Sequence, residues 1–126
     1  MSYFGLLGGR SKSAPTVLIT VLGTGPSNAT LSIDNGAPAV FTLAPGTWIT
    51  LTSSLPNLVN FLEIFDSTGN INLIATGAPG SEVIQAIDYP GGNGYLPLLI
   101  TAGTRIAFQV LSTPAVGSVI SFNFYG

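Results

Sequence analysis

The sequence predicts an all-β domain, and three observations carry that expectation. Sixteen glycines and nine prolines interrupt the 126-residue chain every several residues, which leaves little room for an uninterrupted helix. Between them lie short stretches rich in Val, Ile, Thr, Phe and Tyr, the residues that suit a pleated, half-buried surface. The stretches recur at regular spacing with turn residues between them, the pattern of an antiparallel β-sandwich or barrel. At this length one domain is expected, and folding would remove roughly two-thirds of the unfolded chain's surface from water.

Some eight to ten short strands are expected, near residues 16–22, 29–33, 39–43, 47–53, 60–66, 71–76, 82–88, 95–101, 105–111 and 117–125. The first, in "TVLITVL", is apolar at consecutive positions, so both of its faces call for burial. Between the second and third, Asp34-Asn35-Gly36 tolerates positive φ and predicts a tight hairpin. Asn28-Ala29-Thr30, formally a glycosylation sequon, reads as a polar turn, because no secretion signal is expected of an N-terminus interrupted by Gly8 and Gly9.

The fifth stretch is ambiguous. Leu58, Phe61, Leu62 and Phe65 have helical spacing, yet Phe61, Glu63 and Phe65 also alternate with Leu62, Ile64 and Asp66. Its aromatic content and the turn that follows predict a strand, preceded by at most one helical turn. In that turn Asp66 and Gly69 occupy the first and fourth positions of a type I reversal, read as a hairpin with the Asp side chain bonding the backbone ahead of it.

The eighth stretch contains "LPLLI", again two-faced, and Pro97 confines it to an edge, a bulge or a strand start. The last, "VISFNFYG", alternates Ile120, Phe122 and Phe124 with Ser121, Asn123 and Tyr125 and predicts a strand buried on one face. "MSYFGLLGGRSKSAP" has no sustained period. Residues 1–15 therefore read as an extended arm and residues 16–126 as a single domain.

Composition excludes much chemistry. Cysteine and histidine are absent, which removes disulfides, thiolate nucleophiles, the usual neutral-pH proton shuttle and the commonest transition-metal ligand. Charged residues are 6% of the chain, against about a quarter in an ordinary soluble domain. Twelve Ser, thirteen Thr and eight Asn supply polarity instead. Three basic residues cannot neutralise the phosphates that nucleic-acid binding needs, and no apolar run approaches the ~20 residues that span a bilayer.

The glycine-rich "YPGGNGYLP" invites a nucleotide reading, but a dinucleotide or phosphate cradle needs a helix after its glycines. Here Tyr95, Leu96 and Pro97 follow, with no Lys-Ser/Thr pair, so the loop reads as backbone reversal. A glycosidase pair drawn from Glu63, Asp66, Glu82 and Asp88 is the remaining catalytic option. Against it, Asp66 is explained by its turn, and Glu82 and Asp88 lie at opposite ends of one strand. "DSTGNIN" (66–72) gathers side-chain oxygens without the calcium-loop pattern, and the turn reading wins there. Trp48, Tyr89 and Tyr95, with Asn93, are weighed as a sugar-stacking platform, although such rings more often pack in cores or subunit contacts. The expectation is a protein without catalytic residues, cofactor or metal.

Association remains. Low charge and two-faced strands suggest a subunit that buries much surface against partners, since interface centres are depleted in Lys, Glu and Asp. Residues 1–13 carry Arg10 and Lys12 and no acid, whereas residues 14–126 carry Arg105 against five acids. Tyr3 and Phe4 at the arm's tip, with Arg10 and Lys12 steering, are candidates to dock on a neighbour; the other reading is a frayed terminus. Tyr89, Asn93 and Tyr95 are candidate contacts at the glycine-rich tip.

The runs "APGTWITLTSSLPNLVNFLEIFDSTGNINLIATGAPGSE" and "YPGGNGYLPLLITAGTRIAFQVLS", closing on "ISFNFYG", resemble small accessory virion proteins of tailed bacteriophages over residues 44–126. The resemblance lies in texture and turn placement and carries no functional residue with it. It implies a jelly-roll-like domain that decorates or cements a capsid, often as a homotrimer, with the major capsid protein or another virion protein as partner. The alternative is a tail- or neck-associated protein or a host-glycan-binding module of a tail.

Overall fold

The computed structural model describes residues 11–91 and 94–126. Among these residues there are ten strands and no helix: β1 (Val17–Val21), β2 (Ala29–Ile33), β3 (Ala39–Phe41), β4 (Ile49–Thr52), β5 (Val59–Asp66), β6 (Asn72–Thr76), β7 (Val83–Asp88), β8 (Tyr95–Ile100), β9 (Ile106–Val110) and β10 (Val119–Tyr125). They form two antiparallel sheets, in the orders β3-β2-β1-β10-β5-β8 and β4-β9-β6-β7. Apart from the β2–β3 hairpin, four strands of one sheet, β1-β10-β5-β8, stand against the four of the other. Among those eight, only β6 and β7 are sequence neighbours within one sheet.

The core lies between the sheets and follows the period-2 pattern. Val17, Ile19 and Val21 of β1, Leu62 and Ile64 of β5, and Ile120, Phe122 and Phe124 of β10 meet Ile74 of β6 and Ile106, Phe108 and Val110 of β9. Phe108 and Phe122 join the two layers with ring centroids 5.2 Å apart, tilted by 51°, an arrangement aromatic quadrupoles favour over a flat sandwich. The alternation expected for "VISFNFYG" is realised in β10.

The turn chemistry is equally specific. Asp34 and Asn35 hold φ of 48° and 60°, and Gly36 N–H donates to Ile33 O over 2.8 Å, so the β2–β3 reversal has the positive-φ pair of a type I′ turn. Residues 59–66 are strand as expected, with no helical turn before them. The turn after β5 differs from expectation. Thr68 N–H donates to Asp66 Oδ1 over 2.7 Å as an Asx turn, but β5 and β6 belong to different sheets. The turn is a crossover between layers and not a hairpin, because an Asx turn sets only the local reversal.

β7 and β8 are edge strands, one from each sheet, joined by the 89–94 loop. Pro97 lies on the β8 edge next to a register shift between Val59 and Phe61 of β5, as the missing proline N–H requires. From the segment assigned to the arm, residues 11–13 are tied to the last strand and the C-terminal Gly126. Lys12 bridges to Tyr125, Ser13 N–H donates to Phe124 O over 2.8 Å, and Gly126 N–H donates to Ser11 O over 2.9 Å.

Candidate functional site

Three features stand out, and the first is the flank formed by β7 and β8. Along β7 Val83, Ile84 and Ile87 are exposed, and along β8 so are Tyr95 and Leu99, the latter at 75%. Tyr89 in the connecting loop is 58% exposed. A shallow cavity of about 170 Å³ between Gln85 and Leu99 joins the two edges. The two-faced expectation for "LPLLI" is thus half met: Leu96 and Leu98 pack against the core, while Leu99 faces out. No charged residue lies on β8, and the one on β7, Asp88, is buried.

The glycine-rich loop owes part of its composition to close packing. Ile64 N–H donates to Gly94 O over 2.7 Å, and a Cβ at Gly94 would lie 2.0 Å from Ile64 O. Only glycine permits that approach of one backbone to another. The strand that follows is β8, so the helix on which a phosphate cradle depends is replaced by extended chain.

The second feature is a polar and aromatic strip on the outer face of the six-stranded sheet. Tyr95 stacks on Phe61 at 5.8 Å and 24°, and Phe61 contacts Tyr125 at 6.3 Å. Asn123 Nδ2 donates to Glu63 Oε1 over 3.3 Å. Burial, reinforced by the Glu63 charge, raises the Tyr125 hydroxyl pKa above its ordinary value. At the far side of the strip Lys12 pairs with Asp34, which also accepts from Thr16 N–H over 2.8 Å; the lysine, then that backbone bond, hold the Asp34 carboxyl below its usual range.

The third feature is largely buried, with Asp66 half-buried at its rim. Asp66, at the end of β5, accepts from Thr68 Oγ1 over 2.6 Å and from the Asn72 amide. The same amide donates to Asp88 Oδ2 over 3.2 Å. Asn72 and Asp88 face each other across the β6–β7 register and are both buried. Desolvation pushes the Asp88 carboxyl up, the Asn72 hydrogen bond opposes it, and the nearby Asp66 charge adds to the rise.

Of the sequence-derived candidates, Tyr89 and Tyr95 fall on or beside the β7–β8 flank, and Lys12 is engaged by Asp34 and Tyr125. Tyr3, Phe4, Arg10 and Asn93 lie outside the described residues. The sugar platform is not assembled. Trp48 is half-buried ahead of β4, at the edge of its sheet opposite β7, whereas Tyr89 and Tyr95 flank the β7–β8 loop. The carboxylate pairings also sort differently from expectation. Glu63 serves the outer face, Glu82 pairs with Arg105 at 2.9 Å, and Asp66 and Asp88 meet through Asn72.

Sequence reasoning missed two residues. Asn28 is buried, its Nδ2 donating to Leu43 O over 2.9 Å and its Oδ1 accepting from Leu43 N–H over 2.7 Å, so the sequon asparagine is a backbone clasp and its amide is already engaged. Asn72 was legible only as part of a turn-rich string; its partner Asp88 is 16 residues away.

The architecture is that of a two-sheet antiparallel β-sandwich. No protein-family model, curated protein or solved structure matches the chain.

Proposed function

We propose that this chain is a non-enzymatic structural protein of a phage particle, a capsid decoration or cement protein that self-associates, as a homotrimer, and bridges capsid subunits at the capsid surface. The observation that carries the reading is the β7–β8 flank. One edge strand of each sheet lies there, and their exposed positions hold Val83, Ile84, Ile87, Tyr95 and Leu99 without a charged side chain among them. Several exposed apolar side chains gathered at an uncharged edge favour an interaction site. Edges are ordinarily blunted by lysines, prolines or bulges; this flank has Pro97 and register shifts beside β7 and β8. Those devices discourage sheet-to-sheet extension and favour side-chain packing against a second copy.

The resemblance over residues 44–126 supports the virion setting. The strand order β1-β10-β5-β8 against β4-β9-β6-β7 supports a jelly roll with an added β2–β3 hairpin. In this reading the mechanism is mechanical: the flank holds the oligomer together, and Tyr3, Phe4 and Arg10 are the residues proposed to contact the neighbouring capsid subunit.

Quantitative mass spectrometry of purified particles of the encoding phage tests the proposal. Copy number in proportion to the capsid shell is expected. A handful of copies per particle would move the protein to the tail or neck, and absence from particles would overturn the virion reading.

A further inference from the structure

Arg105 directly precedes β9, in the middle of the four-stranded sheet, and its side chain is only 10% exposed. A guanidinium carries five N–H donors and no acceptor. Nε donates to Thr50 Oγ1 over 2.9 Å, and Nη1 donates to Gly77 O over 3.1 Å and to Glu82 Oε2 over 2.9 Å. Three of the five donors are thereby placed, and the two on Nη2 have no acceptor among the described residues. Nη2 is not sealed in, since among those residues the wholly buried side-chain nitrogen or oxygen without a partner is Asn72 Oδ1. Its two N–H groups therefore open to solvent where Arg105 lines a cavity of about 480 Å³.

Hydroxyl groups share that lining. Thr50 Oγ1 accepts from Nε and keeps its own hydrogen to donate. Ser53 is exposed in the lining, and its hydroxyl has no partner among the described residues. Ala78 and Pro79, from the connection between β6 and β7, add apolar atoms. Glu82 does not line the cavity, and its oxygens are taken up by Arg105 and by the Gly80 N–H over 3.1 and 3.3 Å. The cavity thus offers donors from a nearly buried cation, with no carboxylate of its own chain in the lining.

We infer that this cavity binds a carboxylate, seated on Arg105 Nη2 and the hydroxyls of Thr50 and Ser53. A carboxylate accepts at about four lone-pair sites on its two oxygens, which matches two N–H and two O–H donors. Bonds from a guanidinium to a carboxylate are charge-assisted and roughly twice as strong as neutral ones. One guanidinium can serve two carboxylates here, because Glu82 engages Nη1 and leaves Nη2 free. The same Glu82 charge weighs against a dianion such as phosphate, which would bring more negative charge beside it in a poorly solvated place. A ligand with a single negative charge is favoured. Two carriers share that chemistry, a free small acid and the Asp or Glu side chain of a docking protein. The site goes beyond the assembly reading and does not rest on it.

The test titrates the full chain, at constant ionic strength and slightly below neutral pH, with acetate, acetamide, phosphate and N-acetylglutamate α-amide. Proton–nitrogen NMR spectra follow the Ser53 amide and the arginine Nε–H groups; the chain has two arginines, Arg10 and Arg105, so Arg105→Lys assigns the second. Acetate is expected to move the Arg105 and Ser53 signals along a saturating curve. Acetamide, of the same shape without the charge, should bind about tenfold more weakly or worse, and phosphate more weakly than acetate. Saturation by N-acetylglutamate α-amide at least as tight as by acetate supports a docked side chain as the carrier, and weaker saturation supports a free acid. Arg105→Lys lacks the planar fork and should lose saturable binding, Ser53→Ala should weaken it about three- to tenfold, and Thr20→Val in the other sheet should leave it unchanged. An acetate shift that stays linear, showing an adventitious ion only, overturns the inference, as does acetamide equal to acetate, phosphate tighter than acetate, or undiminished binding in Ser53→Ala. If Arg105→Lys fails to fold, Ser53→Ala is read against the same outcomes.

Discussion

Replacing Gly94 by alanine tests why the 89–94 loop is rich in glycine. The new Cβ would lie 2.0 Å from Ile64 O and 3.1 Å from Ile64 C. To reach ordinary contact the two backbones must part by about 1.4 Å, a shift that close-packed surroundings resist. The same movement strains the 2.7 Å bond from Ile64 N–H to Gly94 O. Overpacking costs about 1–3 kcal/mol, and a buried donor left without its acceptor about 1–3 kcal/mol more. The expected destabilisation is therefore about 2–6 kcal/mol, or a fall in Tm of about 8–24 °C at roughly 4 °C per kcal/mol for a chain of this size. Two other glycines calibrate the measurement. Gly91 holds φ of +75° in open space, so Gly91→Ala meets only the left-handed penalty of about 1–2 kcal/mol. Gly23 has open space and no positive φ, so Gly23→Ala is neutral or stabilising by up to about 1 kcal/mol. Calorimetry of the three variants should rank Gly94→Ala lowest, then Gly91→Ala, then Gly23→Ala at or above wild type. If Gly94→Ala melted within about 4 °C of wild type, the close-approach reasoning would fail.

Two further outcomes follow from the surface and the ion pairs. Leu99→Asp removes the most exposed apolar side chain of the flank; burying a leucine contributes about 1.5–3 kcal/mol, so self-association should weaken about ten- to a hundredfold or more per contact with the monomer's Tm almost unchanged, and sedimentation velocity showing undiminished association would remove the flank from the interface. Arg105→Met bears on pH dependence. Arg105, the main cause, holds the Glu82 carboxyl below its ordinary value of 4.5, and a depressed carboxylate stabilises the fold above its unfolded pKa and loses that contribution as pH falls through the folded one. The Tm gap between wild type and Arg105→Met should accordingly be widest near neutral pH and narrow below about pH 4.5; a gap independent of pH would show that Arg105 acts through its bonds to Thr50 Oγ1 and Gly77 O alone.

Strand positions were legible because each strand is short, alternates in polarity and is bounded by residues with known turn preferences. Phe122 and Phe124 had to face inward once β10 was a strand, and Asp34-Asn35 had to reverse. Sheet membership was another matter. Asp66-Ser67-Thr68-Gly69 forms the same Asx turn whether the next strand pairs with β5 or crosses to the other layer, so local chemistry does not distinguish the two. What distinguishes them is the second oxygen of Asp66, which reaches Asn72 in the opposite sheet, a tertiary fact without local signature. Asn28 was hidden for a related reason: a polar residue after Ser27 looks like surface, and only its two bonds to Leu43 make its burial affordable. Tyr95 was legible as an aromatic beside the glycine-rich tip, but its stacking partner Phe61 was hidden by the helix-or-strand ambiguity of its own segment.

The scarcity of charge acquires a sharper meaning once each charge has an address. Asp34 holds Lys12 and the Thr16 amide, Glu63 accepts from Asn123, Asp66 and Asp88 share Asn72, and Glu82 holds Arg105. Each described charged side chain is thus engaged within its own chain, and the β7–β8 flank carries no exposed charge. With no exposed charge of its own, the flank has little local field with which to steer a partner. In the proposed assembly, recognition at the flank rests on shape and on removing Leu99, Val83, Ile84 and Ile87 from water, terms that act only at contact. That is suited to assembly at high local concentration, where encounter is frequent and orientation is set by the surface already formed.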